Sequence, residues 1–568
     1  MKVFTIAEMV AAEKEADVAA QNHAPHGITY AQMMENAGKA TAQATMERLL
    51  VKGKRVLVLV GAGNNGGDGL VCGRVLAQAG ADVSFYLSHP RDPERDPNLA
   101  QVQEMGLNIL RHDFDQRYRL LRLQLNGGDI VVDALLGTGV SRPIGGELAK
   151  LMRQVRAGID ERGQIIASQR RTPLTHLGQA PPILLPNGPL IVAVDCPSGL
   201  NCDTGELDPL AIPAHLTVTF AAAKRGHFIF PGASACGDLV IADIGIAPDL
   251  LTPKNVTLEV ATPDMVRPWL PARPRDGHKG TFGKVLIAAG SEPYWGAPLL
   301  AGKAAFRAGA GLVALLLPDQ IRPTAVAHLP EATYPYRATA VVLDAAAAHH
   351  LLTTQTEYKA ILIGPGLSQD ATAFMNTLFP VTDQPPVTSD HSPLSTLHSP
   401  LPLHPSLILD ADALNILATW PDWWQRLPAN SILTPHPGEM ARLMGVTLAK
   451  LKGMDRVTVA KRFAAAWGHI VLLKGAYTVV ASPDGRCSIL PFANPILGVG
   501  GSGDVLAGVI VALLGQGVPR YAAAVLGGYL HGLAGQLASQ ERGDSGLLAS
   551  ELADYLPSVR RRILAGNQ

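Results

Sequence analysis

The chain has 568 residues, 47% hydrophobic and 17% charged, with 48 Lys plus Arg balancing 48 Asp plus Glu. That length asks for two or more domains with ordinary globular cores and excludes a mostly disordered chain. Zero formal charge, with no basic stripe or polybasic tail, argues against a nucleic acid or an anionic membrane as partner and points to small molecules.

Met1 to Ile6 reads as a strand-like start before an amphipathic helix whose Glu8, Glu13, Lys14, Glu15 and Asp17 do not suit a signal peptide. Residues 56–60 form a continuous β-branched run of the kind buried on both faces of a parallel sheet. A glycine-rich loop at 61–69 and a helix over 70–78, closed by Gly80, complete the start of a βαβ unit. Further strands are predicted at 130–133, 190–195, 217–220 and 239–242. Several end in an acidic residue, at the edge where open α/β folds bind ligands. Pro263, Pro268, Pro271 and Pro274 make 262–276 read as a linker, so the domains are drawn as 1–255 and 262–568. A second α/β series has predicted strands at 285–288, 312–316, 361–363, 407–410, 432–434 and 470–473. The aperiodic stretches near 161–188 and 382–405 read as surface insertions. No apolar run reaches the roughly 18–20 residues of a membrane helix. Five cysteines, Cys72, Cys196, Cys202, Cys236 and Cys487, are odd in number and lack a C-x-x-C pair, so a disulfide framework or zinc site is not expected and a reducing cytoplasm fits.

Three glycine-rich or acidic loops in the first half carry chemistry. Gly61-Ala62-Gly63-Asn64-Asn65-Gly66-Gly67-Asp68-Gly69 satisfies G-x-G-x-x-G, and its asparagines offer hard oxygens for an alkali cation and amides for phosphate. Asp133 opens a stretch with Gly137, Thr138, Gly139, Val140, Ser141, Arg142 and Pro143, small residues beside an arginine suited to phosphate. Asp195-Cys196-Pro197-Ser198-Gly199 leaves another strand. Taken separately, Asp133 and Asp195 could equally cap turns. In the second half, Gly500-Gly501-Ser502-Gly503-Asp504 runs into an apolar helix. Its backbone N–H groups and helix end favour a phosphate, and Asp504 either takes a proton from an attacking hydroxyl or merely caps the helix.

These motifs resemble those of the NAD(P)H-hydrate repair enzymes. The Asn-Asn-Gly-Gly-Asp loop, Val-Asp-Ala-Leu-Leu-Gly-Thr-Gly, Asp-x-Pro-Ser-Gly and Lys224-Arg225-Gly226 are similar to the epimerase domain. The stretch from His278 to Val285, Gly364-Pro365-Gly366-Leu367, Asp410-Ala411-Asp412-Ala413-Leu414-Asn415, Thr434-Pro435-His436-Pro437-Gly438-Glu439-Met440 and the Gly-Gly-Ser-Gly-Asp loop are similar to the ribokinase-like dehydratase. The resemblance implies a Rossmann-like α/β/α domain that interconverts the R and S epimers of hydrated NADH and NADPH. It also implies a ribokinase-like α/β domain that removes water from the S form with ADP and Mg2+.

By the same resemblance, Asn64, Asn65, Gly66, Gly67, Asp68 and residues Gly137 to Pro143 hold the hydrate, and Asn65, Asp133 and Ser198 hold K+. Asp195 is the acid/base candidate there, and Lys224 is a weaker one that could also be a solvated lysine. Ala297, Gly366, His436 and Asp504 line the dehydratase hydrate site, although His436 beside two prolines could be a turn residue only. Lys474, Gly475, Ala476, Tyr477, Thr478 and Gly503 face ADP. Val499 and Ile496 depart from the small polar residue and glycine usual in the family, so a hydroxyl contact to phosphate is not expected there. Cys196 is read as packing. A homo-oligomer is left open. A vitamin or small-molecule kinase and a noncatalytic nucleotide-sensing scaffold are the competing readings, both disfavoured by intact candidate acid/base residues in two fused domains.

Overall fold

The computed structural model describes residues 1–24, 26–140, 142–169, 188–252, 256–337, 340–381 and 405–566. Most of the two predicted insertions, and Ser141, lie outside the described residues. The chain divides into two compact units, Lys2–Val256 and Thr257–Gln568 with Met1.

The first unit is built on a seven-stranded parallel sheet. In chain order its strands are β1 (Val3–Phe4), β2 (Arg55–Val60), β3 (Asp82–Leu87), β4 (Asn108–Arg111), β5 (Ile130–Ala134), β6 (Leu190–Val194), β7 (Leu216–Phe220), β8 (Ala223–Lys224) and β9 (Asp238–Ala242). The sheet order is β4-β3-β2-β5-β6-β7-β9, while β1 pairs separately with β8, Phe4 opposite Lys224. Alternation along β2 feeds two cores: Val56, Val58 and Val60 face one, Leu57 and Leu59 the other, which makes three layers. Chain order reverses between β2 and β5, so a crevice opens at their carboxyl ends.

The helix following β2 spans Asn64–Gln78, beginning six residues before the predicted start at Leu70. The Asn-Asn-Gly-Gly-Asp stretch is therefore the first turns of a helix rather than a loop. Glycine propensity argued for a loop, but tertiary packing overrides it. A Cβ on Gly73 would lie 2.5 Å from Phe85 Cζ, and one on Gly67 2.5 Å from Met34 Sδ, so bare backbone is needed for the helix to approach its neighbours.

The second unit has a nine-stranded sheet. Its strands are β10 (Leu258–Val260), β11 (Lys284–Ala288), β12 (Leu312–Leu316), β13 (Ala360–Ile363), β14 (Ser406–Leu409), β15 (Ile432–Leu433), β16 (Ile470–Leu473), β17 (Val479–Ala481) and β18 (Cys487–Ile489). The order is β10-β18-β17-β16-β15-β14-β13-β11-β12, with β17 antiparallel to both of its neighbours. Its crevice falls between β11 and β13, where the connections change direction. The predicted linker at 262–276 is corrected in part. Thr262 caps a helix over Pro263–Val266, and Val266 is fully buried in this unit's core. Pro263 and Pro268 occupy helix-start positions they favour, while Pro271 and Pro274 lie in irregular chain.

Candidate active sites

In the second unit, strands β13, β14, β15 and β16 deliver their following residues to one edge. Asp410 leaves β14, His436 follows β15 and Lys474 follows β16. Lys474 Nζ donates to Asp410 Oδ1 at 2.7 Å and lies 3.9 Å from Glu439 Oε2. A Cβ on Gly503 would sit 3.3 Å from Lys474 Nζ, so the ammonium lies beneath the glycine loop. Burial works against this charge, but Asp410, Glu439 and Asp504 outweigh it and hold its pKa above the ordinary lysine value.

Gly501 is the N-cap of the helix Ser502–Gly515 in left-handed backbone, and no side chain caps this helix. The capping alternative for Asp504 is thereby removed. Its carboxyl stands in the first helical turn, half-buried, with its pKa pushed up to about 7 by burial first and then by Asp410, Asp412 and Glu439 against the pull of Lys474. Gly501 has φ +87°, and a Cβ there would meet Leu300 Cδ1 at 2.5 Å. Gly501→Ala is expected to destabilise this unit by about 1–2 kcal/mol or more, measured by urea unfolding.

His436 is the N-cap of Pro437–Leu443: its Nδ1 accepts from Gly438 N at 2.9 Å, and Glu439 Oε2 accepts from His436 N at 2.8 Å. The turn reading is thus half right. With Nδ1 committed to the cap, the proton of the neutral ring sits on Nε2, 3.3 Å from Glu439 Oε1. Burial, with Lys474 and Arg442, lowers the His436 pKa, while burial lifts Glu439 to about 7. Gly366 has φ +60°, and a Cβ on it would lie 2.9 Å from Ala297 Cβ, so these two predicted residues do meet. Gly475 to Thr478 form the turn between β16 and β17. Arg456 pins it, donating to Leu473 O and Lys474 O at 2.9 Å each and to Ala476 O at 2.6 Å. Nothing in the sequence distinguished Arg456 from a surface helix residue. Glu439, by contrast, was findable as the third residue of a capping box opened by His436.

In the first unit, Asp133 at the end of β5 is fully buried. Its Oδ1 accepts from Ser198 Oγ at 2.6 Å and its Oδ2 from Ser198 N at 2.9 Å. Asn65 Nδ2 donates to Leu136 O at 3.0 Å, and Leu136 N donates to Ser198 Oγ at 2.8 Å. Asn65, Asp133 and Ser198 therefore converge around one loop. Burial pushes the Asp133 pKa up despite these bonds, all to neutral groups. Gly137 packs against Asn65, whereas Arg142 and Pro143 are exposed.

Asp195 follows β6 with φ +65°, a strained backbone for a non-glycine residue and of the kind that gathers at functional sites. Its Oδ1 accepts from Lys224 Nζ at 2.6 Å and Thr219 Oγ1 at 2.9 Å. Burial would raise its pKa, but Lys224 and Thr219 bring it below the usual carboxylate value. Lys224 is buried, 1% exposed, which replaces the solvated-lysine reading. Cys196 packs with Cys202 and Cys236 in a small buried cluster.

Two α/β units, each with a lysine–aspartate ion pair at the carboxyl edge of its sheet, define a two-centre enzyme of the Rossmann-like and ribokinase-like classes. The family model for NAD(P)H-hydrate dehydratase matches residues 285–558, and that for the YjeF-related protein N-terminus matches 30–226. The bifunctional NAD(P)H-hydrate repair enzyme of Moorella thermoacetica is 37% identical over 94% of this chain and 92% of its own. That of Escherichia coli is 31% identical over 94% and 90%. The crystal structure of the ADP/ATP-dependent NAD(P)H-hydrate dehydratase from Bacillus subtilis with ATP and Mg2+ is 34% identical. It covers 55% of this chain and 100% of that one, with a TM-score of 0.45. The chain belongs to the family of bifunctional NAD(P)H-hydrate repair enzymes.

Proposed function

We propose that this chain repairs hydrated NADH and NADPH in the cytoplasm. Residues 1–255 interconvert the R and S epimers, and residues 262–568 dehydrate the S epimer with ADP, releasing AMP and phosphate. The observation that carries the second half is the juxtaposition of Asp504, in the first turn of a glycine-capped helix, with the buried Lys474–Asp410 pair beneath it. Asp504 takes the proton of the C6 hydroxyl, and that oxygen attacks the terminal phosphorus of ADP. Backbone N–H groups of Gly500 to Gly503 and the Lys474 ammonium stabilise the charge on the transferring group. Hydroxide is a poor leaving group and phosphate a better one. The ring nitrogen's electron pair then expels phosphate, and loss of a proton from the neighbouring carbon restores the reduced ring. Gly475 to Thr478, held by Arg456, receive the nucleotide, while Ala297, Gly366 and His436 receive the hydrate.

Among the described residues no three His, Cys, Asp or Glu side chains stand close enough to hold one metal ion. Mg2+, which keeps several waters, fits a site shared between nucleotide phosphates and the carboxyl groups of Asp410 and Glu439. In the first domain, a single buried carboxylate with a serine hydroxyl, an asparagine amide and the Leu136 carbonyl nearby suits a monovalent, oxygen-seeking cation such as K+. It would steady the loop carrying Gly137 to Pro143 against Asn64 to Asp68, where the hydrate's phosphates and ring are received. Asp195 is the acid/base group. An R/S hydrate mixture given ADP and Mg2+ is expected to regain its reduced-nicotinamide absorbance completely. Accumulation of a stable phosphorylated alcohol without that recovery would favour a kinase instead.

A further inference from the structure

The geometry points to His531 as a positioning residue of the dehydratase centre: it holds the Ser502–Gly503 peptide so that the Gly503 N–H faces the transferring phosphoryl group. This rests on the dehydratase reading above and deepens it. His531 lies in the helix Arg520–Arg542, and its Nε2 is 2.9 Å from Ser502 O, the carbonyl of the first residue in the helix that carries Asp504. A carbonyl only accepts, so Nε2 carries the proton and donates. Burial brings the His531 pKa down to about 4, with the Ser502 bond opposing and Lys474 adding to the shift. The ring is therefore neutral at working pH and has one N–H to give.

The close approach is built into the helix that carries His531. Gly528 and Gly535 stand three residues before and four residues after it, on the same helix face. A Cβ on Gly528 would run into Leu490, and one on Gly535 would lie 2.6 Å from Leu497 Cδ2. The bare face lets the chain leading to the glycine loop lie against this helix, and Asn494 Nδ2 fastens it there by donating to Gly535 O at 3.2 Å. Ser502 is tied through its other groups as well. Its Oγ donates to Leu497 O at 2.9 Å and its N to Val499 O at 3.3 Å. The hydroxyl proton is thus used inside the loop, which leaves the anion to backbone donors.

In a trans peptide the C=O and the following N–H point in opposite directions. Gly503 N finds no acceptor among the described residues, as expected of the second position in a helix. With Ser502 O held toward His531, the Gly503 N–H is directed to the opposite side. Lys474 Nζ lies 3.3 Å from where a Cβ on Gly503 would stand, so ammonium and N–H serve the same anion. The His531 bond also polarises the peptide, which makes its N–H a stronger donor. His531 keeps its own proton throughout. The hydroxyl proton passes to Asp504, and no bond to His531 forms or breaks beyond the hydrogen bond itself.

The test uses the full chain with S-enriched hydrated NADH, ADP and Mg2+. Recovery of the reduced-nicotinamide absorbance gives kcat and KM for ADP, and melting temperature is measured alongside. His531→Leu fills similar space without a donor and is expected to lower kcat by about 10–10²-fold, less than outright loss of an oxyanion donor because the N–H is misdirected rather than removed. KM for ADP should change by less than about threefold, since the charge this N–H meets grows as the phosphoryl group moves. His531→Gln carries an amide N–H to a similar reach and is expected to regain most of the lost kcat. If His531→Leu does not fold, His531→Asn, whose amide falls short of Ser502 O, takes its place with the same expected loss. A donor-lacking variant with the parent's kcat would overturn the inference, as would a His531→Gln chain no faster than that variant at any melting temperature. A loss confined to KM would put His531 in nucleotide binding alone and overturn it too. A parent chain that does not dehydrate the S epimer would overturn the dehydratase reading instead.

Discussion

Asp504→Asn is expected to lower ADP-dependent dehydration of the S epimer by about 10²–10⁴-fold, the usual worth of a positioned general base. Asparagine keeps the shape and cannot take the hydroxyl proton. The parent should show an acid limb in kcat: Asp504, with its pKa near 7, gains its basic form as pH rises through that value. Glu439 also titrates near 7 beside the same lysine, so the limb reports the pair rather than either residue. Stability runs the other way. A carboxyl whose folded pKa stands near 7 against an ordinary 3.8 binds its proton more tightly when folded. That contribution is complete below about pH 4 and lost as pH rises through 7. Asparagine carries no charge at any of these values, so the variant should melt no lower than the parent at pH 8. An active variant, or one inactive only because it unfolds, would remove Asp504 from the chemistry.

How far the sequence could be read depended on the kind of interaction involved. Runs such as 56–60 and 470–473 are fully buried strands whose hydrophobicity is local, and the acids ending β5, β6 and β14 follow from the rule that open α/β sheets bind ligands at carboxyl edges. By contrast β10, β17 and β18 have three residues each and are recognisable only through their pairing with one another and with β16. The helix start at Asn64 was hidden because glycine's local preference opposes what close packing requires. Arg456 was hidden for a further reason. It looks like an ordinary charged helix residue, and only the carbonyls of the turn after β16 packed against it show what it holds. Lys224 had two readings in sequence, and its burial with hydrogen-bond partners replaces the solvated one.

Asp195→Ala is expected to confine repair to the S fraction: recovery of the reduced ring should stop where the S epimer is exhausted, apart from slow spontaneous epimerisation, while the parent proceeds to completion. The difficulty is that Lys224 is buried, and removing its carboxylate leaves an unpaired ammonium with only Thr219 Oγ1 at 2.8 Å and Phe220 O at 3.1 Å. Breaking such a pair from one side costs about 3–5 kcal/mol, enough to unfold a marginal domain. Replacing both charges offsets most of this penalty. Asp195→Asn with Lys224→Met should therefore restore the melting temperature lost in Asp195→Ala and still leave only the S fraction convertible. If the double variant instead recovered full conversion, the pair would hold the fold together and the proton chemistry would lie elsewhere.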